Sequence, residues 1–232
     1  MPNVIQNAAM FFKLAARYLK EAPEAENGQS QAIRAKYTRE LLSYFQIEIS
    51  GPSREDIQKN GPCIYVANHT SVLDALMICA FFEGDLRILA KESLFKVPRL
   101  KTILRIEKHI MVHRGKGAHD RNQKIREDIQ TAIREGGSIF IFPEGTRTHT
   151  GEVGPFKHGA FYNAIQCQVP VVPVVLKGTF ESMPRGTFQI KPGKCELKLL
   201  PKIPLPDESM GDESERAHWL AEQARNAIIA AL

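Results

Sequence analysis

The spacing of hydrophobic and polar residues divides the chain into two parts. Apolar residues recur at helical intervals over residues 3–20 and again over residues 31–45. After residue 46, short apolar runs typical of buried strands alternate with longer amphipathic stretches typical of helices. We therefore predict an amphipathic helical hairpin over residues 1–46 and an α/β domain over residues 47–232.

The order of these stretches predicts the fold class. Predicted strands occupy residues 47–49, 63–67, 86–90, 109–112, 138–142 and 171–176. Predicted helices occupy residues 71–82, 98–105, 118–134 and 159–166, and a last helix, capped by Asp212 or Ser214, runs to Leu232. A β-hairpin is predicted over residues 187–200, around Pro192 and Gly193. This alternation is typical of an α/β fold with a mostly parallel central sheet, an antiparallel edge and helices on both faces.

Polar residues directly follow the first central strand. The segment 68–74 leads from that strand into the next predicted helix, whose N-cap we expect to be Thr70 or Ser71. Asp74 comes five residues after His69, so its carboxylate can fold back across the turn and hold the imidazole in one tautomer. The other ring nitrogen is then free to accept a proton. This is half of a serine-hydrolase relay, without the serine.

A second motif, Phe142–Arg147, closes another predicted strand. Because the carboxyl ends of parallel strands share one edge of a sheet, we expect this motif to lie near His69. Pro143 ends the strand because it has no N–H for the ladder, and Gly145 allows close approach of a ligand to the backbone. Arg147 offers a planar set of donors that suits phosphate. Alone, the motif indicates only a turn; beside His69, it indicates a binding site.

Charge is distributed unevenly along the chain. The 232 residues have a formal net charge of +5, and the contents of 43% hydrophobic and 25% charged residues exclude a disordered chain. Between Arg87 and Arg126, twelve lysines and arginines accompany three acids, whereas residues 207–222 are acidic. Such a segment is either a solvated helix face or the site of an anionic partner: a phosphate-bearing substrate, an anionic membrane surface or a nucleic acid. No known nucleic-acid-binding pattern accompanies it, so we expect no nucleic-acid partner.

The N-terminal hairpin has two interpretations. Its apolar faces either pack on the main domain or lie in a membrane interface, with Lys13, Arg17 and Lys20 toward anionic head groups. A spanning helix needs about 20 mostly apolar residues, whereas Val4–Leu19 contains two of these cations. No signal-peptide pattern is present, and we expect a peripheral protein at the cytoplasmic face of a membrane.

The His69–x4–Asp74 pair followed by the Phe142–Arg147 motif resembles the glycerolipid acyltransferase family. Residues 90–114, 156–159 and 169–174 resemble further blocks of that family, in order and at its spacing. The resemblance covers about residues 60–178. It implies that residues 47–232 form the catalytic domain and that the N-terminal hairpin meets the membrane.

The resemblance also implies an activity. The protein would be an O-acyltransferase that moves a fatty acyl group from acyl-CoA or an acyl carrier protein to the free hydroxyl of 1-acyl-sn-glycerol-3-phosphate, giving phosphatidate in phospholipid biosynthesis. His69 would be the base and Asp74 the residue that orients it. The acceptor head group would be held by Arg114, Glu144, Gly145, Thr146 and Arg147, with Lys91 adding positive potential. No cofactor or metal is expected, and the four cysteines, which lack a CxxC spacing, are expected to be reduced.

Two alternatives remain open from the sequence. Within the same class, the acceptor would be another lysophospholipid, a lyso-amino lipid or glycerol-3-phosphate, because Lys101 and Lys108 stand where the family usually has glycine. In a different class, the protein would be a non-catalytic peripheral membrane-binding protein. Such a protein has no need of His69, Asp74 and Glu144 together.

Overall fold

A single β-sheet runs through the centre of the protein. The computed structural model describes residues 3–24, 29–113, 118–187 and 189–232. Its strands are β1 (Ile47–Ser50), β2 (Ile64–Ala67), β3 (Leu86–Lys91), β4 (Ile110–Val112), β5 (Ser138–Ile141), β6 (Val171–Lys177) and β7 (Gly193–Leu199). In that part of the chain they form a seven-stranded sheet in the order β1-β7-β6-β2-β5-β3-β4. Neighbours pair in parallel except β6 and β7, which are antiparallel, and this confirms the predicted fold class.

Helices cover both faces of this sheet. They are α1 (Val4–Glu21), α2 (Gln29–Tyr44), α3 (Arg54–Gln58), α4 (Leu73–Phe81), α5 (Leu100–Ile106), α6 (Ala118–Arg134), α7 (Gly159–Gln166), α8 (Thr179–Ser182) and α9 (Glu213–Ala231), with 3₁₀ turns at Ala22–Glu24, Glu92–Lys96 and Glu208–Met210. One hydrophobic cluster includes residues of α1, α2 and α4, and a second includes residues of α6, α7 and α9. In β2, Tyr65 and Ala67 belong to the first cluster, and Ile64 and Val66 belong to the second. Because β2 is buried on both faces, it needs a continuous apolar run.

The helix after β2 begins later than predicted. α4 starts at Leu73 with Val72 as its N-cap residue, so the prediction of Thr70 or Ser71 as the cap is wrong. The backbone N–H groups of Thr70 and Ser71 instead donate to the carboxylate of Asp74. The chain therefore completes a side-chain-bonded turn before the helix starts.

The β-hairpin predicted over residues 187–200 is also wrong for the residues that the structure describes. Its second half forms β7, but β7 pairs with β6 and β1 instead of with the segment before it. That preceding segment is bound elsewhere, because the N–H of Lys191 donates to the carbonyl of Ser182 at the end of α8, 2.8 Å away.

The N-terminal hairpin shares its hydrophobic core with the sheet. Leu14, Tyr18, Leu41 and Leu42 lie in the same cluster as the residues of β2 and α4. The first half of α1 also has an outer side, on which Val4, Ile5 and Phe12 are 48%, 79% and 39% exposed. The inner side of the hairpin thus packs on the main domain, and these exposed residues of α1 are available for other contacts. Within the described ranges, no helix combines the length and the apolar character needed to cross a membrane.

A buried ion pair fastens the hairpin to the rest of the molecule. Arg34 of α2 pairs with Glu107 at the end of α5, and the two side chains are 6% and 0% exposed. The hydroxyl of Tyr18 donates to the same carboxylate, and Arg34 also donates to the carbonyl of Phe82. Burial raises the pKa of Tyr18, so the phenol remains a donor. Next to this network, desolvation and then the charge of Arg34 lower the pKa of His109 to about 3.

Candidate active site

His69 and Asp74 form a hydrogen-bonded pair at the carboxyl edge of the sheet. β2 ends at Ala67, and His69 follows in the loop that leads to α4. Nδ1 of His69 lies 2.8 Å from Oδ2 of Asp74, and the two side chains are 19% and 0% exposed. A carboxylate on Nδ1 fixes that nitrogen as the N–H donor and leaves Nε2 as the basic atom. The pair expected from the five-residue spacing is therefore present.

Asp74 is held in place by four donors. Besides the imidazole, its Oδ2 accepts the N–H groups of Thr70 and Ser71 at 2.7 and 2.8 Å. Its Oδ1 accepts the hydroxyl of Thr179 at 2.6 Å. These contacts leave the buried carboxylate one orientation, with Oδ2 aimed at His69.

Thr179 is absent from the set of residues predicted from the sequence. It lies 105 residues after Asp74, so no local spacing connects the two. Gly178 places it after β6, because this glycine has a φ of +78° and a Cβ there would lie 1.9 Å from the carbonyl oxygen of Lys194. The sequence signal that could have indicated Thr179 is a Gly–Thr pair directly after a predicted strand whose carboxyl end lies at the same edge of the sheet as His69.

The ring of His69 is also fixed in its plane. Phe142 stacks on it, with ring centroids 3.9 Å apart and planes 17° from parallel. Asn68 anchors the same loop to β6, because its side-chain amide donates to the carbonyl of Leu176 and accepts the N–H of that residue, each at 2.9 Å. The imidazole thus has little freedom to rotate.

Glu144 braces the loop of His69. Its Oε1 accepts the N–H of His69 at 2.7 Å, and its Oε2 accepts the N–H of Gly154 at 3.0 Å. Burial raises the pKa of Glu144, while these two backbone donors act in the opposite direction. Arg225 of α9 then donates to the carbonyls of Val153 and Gly154, at 2.8 and 2.9 Å. A continuous series of contacts therefore connects α9 to His69, and a role of Glu144 in head-group binding stays a prediction.

The remainder of the second motif forms a turn beside His69. The N–H of Gly145 donates to the carbonyl three residues before it at 2.9 Å, and Gly145 has a φ of +72°, which favours glycine. The N–H of Thr148 donates to the carbonyl of His69 at 2.9 Å, which joins the two loops. Thr146 is exposed and Arg147 is half-buried. The structure thus brings both motifs together, as the parallel strands imply.

Comparison with known proteins identifies the family. A family model described as Acyltransferase matches residues 47–177, which is more than half of the chain. The chain belongs to the acyltransferase family.

This acyltransferase is similar in sequence to proteins named 1-acyl-sn-glycerol-3-phosphate acyltransferase. The alpha form from Ovis aries is 31% identical over 168 residues, which cover 72% of this chain and 57% of that protein. The alpha form from Homo sapiens is 31% identical over 168 residues, covering 72% and 58%. The protein from Limnanthes douglasii is 32% identical over 144 residues, covering 62% and 51%. The chain therefore spans slightly more than half the length of these relatives.

The acyltransferase also has the fold of a solved structure. It is similar to the crystal structure of the 1-acyl-sn-glycerophosphate (LPA) acyltransferase PlsC from Thermotoga maritima, with a TM-score of 0.73. The match covers 98% of this chain and 95% of that one, at 22% identity. At this identity the likeness concerns the fold, which includes the N-terminal helices.

Of the two other residues predicted to bind substrate, the structure describes only Lys91. Lys91 is exposed at the end of β3, two strands from β2, which is about 10 Å at the usual strand spacing. Arg114 lies outside the described residues. Within the described ranges, no three His, Cys, Asp or Glu side chains gather as a metal site requires, and the four cysteines are free thiols.

Proposed function

We propose that this acyltransferase moves a fatty acyl group from an acyl thioester to the free hydroxyl of 1-acyl-sn-glycerol-3-phosphate, forming phosphatidate. The observation that carries the proposal is the orientation of His69. Asp74 holds Nδ1 at 2.8 Å, so Nε2 is the atom left to act as a base. The names of relatives at 31% and 32% identity support this acceptor. The basic segment between residues 87 and 126 supports a phosphate-bearing substrate.

In the proposed reaction, the hydroxyl of the acceptor is the nucleophile. Nε2 of His69 takes the hydroxyl proton while the oxygen attacks the thioester carbonyl, which gives a tetrahedral intermediate. When the intermediate collapses, the carbon–sulfur bond breaks and the proton passes from Nε2 to the leaving thiolate. Asp74 stabilises the imidazolium between these steps, and no acyl-enzyme forms. The released thiol is coenzyme A or an acyl carrier protein.

The function is tested by giving the purified protein mixed lysolipids and mixed acyl donors and identifying the products by mass spectrometry. We expect phosphatidate as the main product. His69→Ala should lower kcat by about 100- to 10,000-fold, the usual contribution of a general base. The control, His218→Ala, removes an imidazole that is 57% exposed on α9 and should leave kcat unchanged. A wild-type rate in His69→Ala would refute the role of His69 as the base. A main product other than phosphatidate would show that the acceptor is a different lysolipid.

A peripheral position at the membrane surface is the second part of the proposal. Val4, Ile5 and Phe12 expose apolar surface in the first half of α1, and Lys13 directly follows Phe12 in the chain. The guanidinium of Arg99 lies 5.9 Å from the centroid of the Phe12 ring. Apolar residues flanked by cations are typical of helices that lie in an anionic lipid interface. These features support a contact between this part of α1 and an anionic lipid surface.

Vesicle flotation tests this position. The double variant Ile5→Gln, Phe12→Gln should float less with vesicles of anionic phospholipid, because it loses exposed apolar area without touching the core. Ile229→Gln is the control, since Ile229 is an equally apolar residue on α9 and is 43% exposed. Equal flotation of all three proteins would place the membrane contact elsewhere.

A further inference from the structure

A segment after α8 links the two loops of the active site. The hydroxyl of Ser71, in the loop of His69, donates to the carbonyl of Met183 at 2.7 Å. Two residues later, Nη1 of Arg185 lies 3.1 Å from the hydroxyl of Thr146 and 2.5 Å from the carbonyl of Arg147. Arg185 therefore lies directly on the turn of the second motif, although no sequence motif includes it.

The contacts of Arg185 leave one edge of its guanidinium unused. Both contacts to the turn come from Nη1, whereas a guanidinium has five N–H donors on three nitrogens. Among the residues that the structure describes, none accepts a hydrogen bond from Nε or Nη2 of Arg185. These two nitrogens form the edge that makes paired hydrogen bonds to a carboxylate or phosphate, as Arg87 does with Asp85.

The turn that Arg185 contacts also carries other cations. Arg147 follows Thr146 directly in the turn, and a Cβ built on Gly145 would come within 2.9 Å of Nζ of Lys157. The nearest acid of the motif, Glu144, is turned away and accepts the N–H groups of His69 and Gly154. Three cations thus belong to this turn or lie against it, and the carboxylate of Glu144 pairs with none of them among the described residues. An anion is the ligand that such a turn favours.

We propose that Arg185 binds the phosphate of the acceptor head group through its Nε and Nη2 edge. The inference rests on the proposed function, because the phosphate is that of 1-acyl-sn-glycerol-3-phosphate. Nη1 keeps the guanidinium on the turn, while the opposite edge forms paired bonds to the phosphate. Arg185 is therefore a binding residue that distinguishes phosphorylated from neutral acceptors.

Calorimetric titration of the purified full chain in detergent micelles tests the proposal. The ligands are 1-acyl-sn-glycerol-3-phosphate, the matching monoacylglycerol without phosphate, and glycerol-3-phosphate as a soluble source of the same group. Arg185→Gln keeps an N–H donor for the turn but removes the charge. We expect its affinity for both phosphate compounds to fall about tenfold to a hundredfold, which is the usual range for a paired, charge-assisted contact. Its affinity for the monoacylglycerol should stay within about twofold.

Two further variants separate binding from structure. Arg185→Lys keeps the charge without the planar edge, so its affinity for phosphate should lie between those of the wild type and Arg185→Gln. Lys202→Gln removes one exposed cation next to Ile203, which pairs with the first residue of β6 at the opposite edge of the sheet. This control should bind all three ligands as the wild type does.

The outcomes separate the proposed role of Arg185 from the proposed identity of the acceptor. Unchanged affinity of Arg185→Gln for the phosphate compounds overturns the role of Arg185, and so does an equal loss for the phosphorylated and the neutral lipid. A wild type that binds glycerol-3-phosphate but not the lysolipid overturns the proposed acceptor alone. The comparison on glycerol-3-phosphate still decides the role of Arg185 in that case. A wild type that binds neither phosphate compound overturns both.

Discussion

The buried pair of Arg34 and Glu107 makes a specific prediction about stability. Glu107→Gln keeps the shape of the side chain but removes its charge, so the guanidinium of Arg34 stays buried without a counter-ion. Breaking a buried pair in this way costs about 3–5 kcal/mol. The carboxylate accepts the hydrogen bonds of Tyr18 and Arg34 on separate oxygens, whereas the amide has only one oxygen to accept both.

The expected loss is large relative to the whole stability of a folded chain. A free energy of unfolding is typically about 5–15 kcal/mol, so a loss of about 3–5 kcal/mol removes a major part of it. For a chain of 232 residues, about 1 kcal/mol corresponds to roughly 2–4 °C in Tm, and Tm should fall by about 6–20 °C. Urea unfolding followed by circular dichroism measures the free energy, and a thermal scan measures Tm.

An exposed ion pair of the same hairpin provides the control. Arg17 and Glu40 lie 3.0 Å apart and are each 45% exposed, so Glu40→Gln should cost at most about 1 kcal/mol. The double variant Arg34→Met, Glu107→Leu should recover much of the loss, because neither charge then remains buried. A loss for Glu107→Gln that is no larger than that for Glu40→Gln would refute the reasoning.

Three other changes test the active site and the imidazole of His109. Thr179→Val removes the hydroxyl bonded to Asp74, and steady-state kinetics should show kcat lowered by roughly tenfold or more with KM little changed, because a hydrogen bond to a charged group contributes about 1.5–3 kcal/mol. Glu144→Gln replaces one carboxylate oxygen by an N–H group that cannot accept a backbone donor, and kcat should again fall about tenfold or more with KM little changed. His109→Gln should make stability less sensitive to acid. Burial lowers the pKa of His109 from 6.5 to about 3, so between these values the unfolded chain binds a proton that the folded chain does not. The free energy of unfolding of the wild type should therefore decrease as the pH is lowered through that range, by up to about 1.4 kcal/mol per pH unit.

Each of these changes has a control variant or an outcome that would contradict the reasoning. Thr179→Ser keeps the hydroxyl and should retain most of kcat, and equal losses in the Ser and Val variants would contradict the positioning role. For Glu144→Gln, a raised KM for the phosphorylated acceptor at unchanged kcat would favour head-group binding over bracing. For His109→Gln, urea unfolding at several pH values measures the slope, with His218→Gln as the exposed control. If the stability of all three proteins depended on pH with the same slope, the ring of His109 would not be neutral in the folded protein.

Local spacing was sufficient to predict the parts of the structure that local chemistry determines. Five residues separate His69 from Asp74, and one strand-to-helix turn brings them together. The predicted bounds of α6 and α7 agree with the structure, because apolar periodicity and the flanking glycines define them. The N-cap of α4 was predicted wrongly for an equally local reason. The carboxylate of Asp74 binds the backbone N–H groups of Thr70 and Ser71 before the helix begins.

Contacts between distant segments were not accessible from the sequence. Arg34 and Glu107 are 73 residues apart, and Asp74 and Thr179 are 105 residues apart. Which polar residues meet depends on the strand order, and a single sequence does not specify that β6 lies beside β2. The same limitation concealed Arg185, whose neighbours in the chain carry no recognisable motif.

Lys108, a departure from the family pattern, has a local effect on the backbone. It has a φ of +53°, in the left-handed region that favours glycine, the residue that the family usually has there. A lysine in this conformation costs about 1–2 kcal/mol relative to an ordinary one. The departure at this position therefore affects the turn between α5 and β4.

The contacts from Arg225 through Gly154 and Glu144 to His69 have a consequence for the synthesis of the protein. α9 follows every other segment of the active site in the chain, so it leaves the ribosome after them. Until α9 docks, the carbonyls of Val153 and Gly154 lack their guanidinium, and the loop that supports the base is incomplete. A nascent chain with both motifs already exposed should therefore remain inactive, and acyl transfer should begin only when α9 has folded onto the domain.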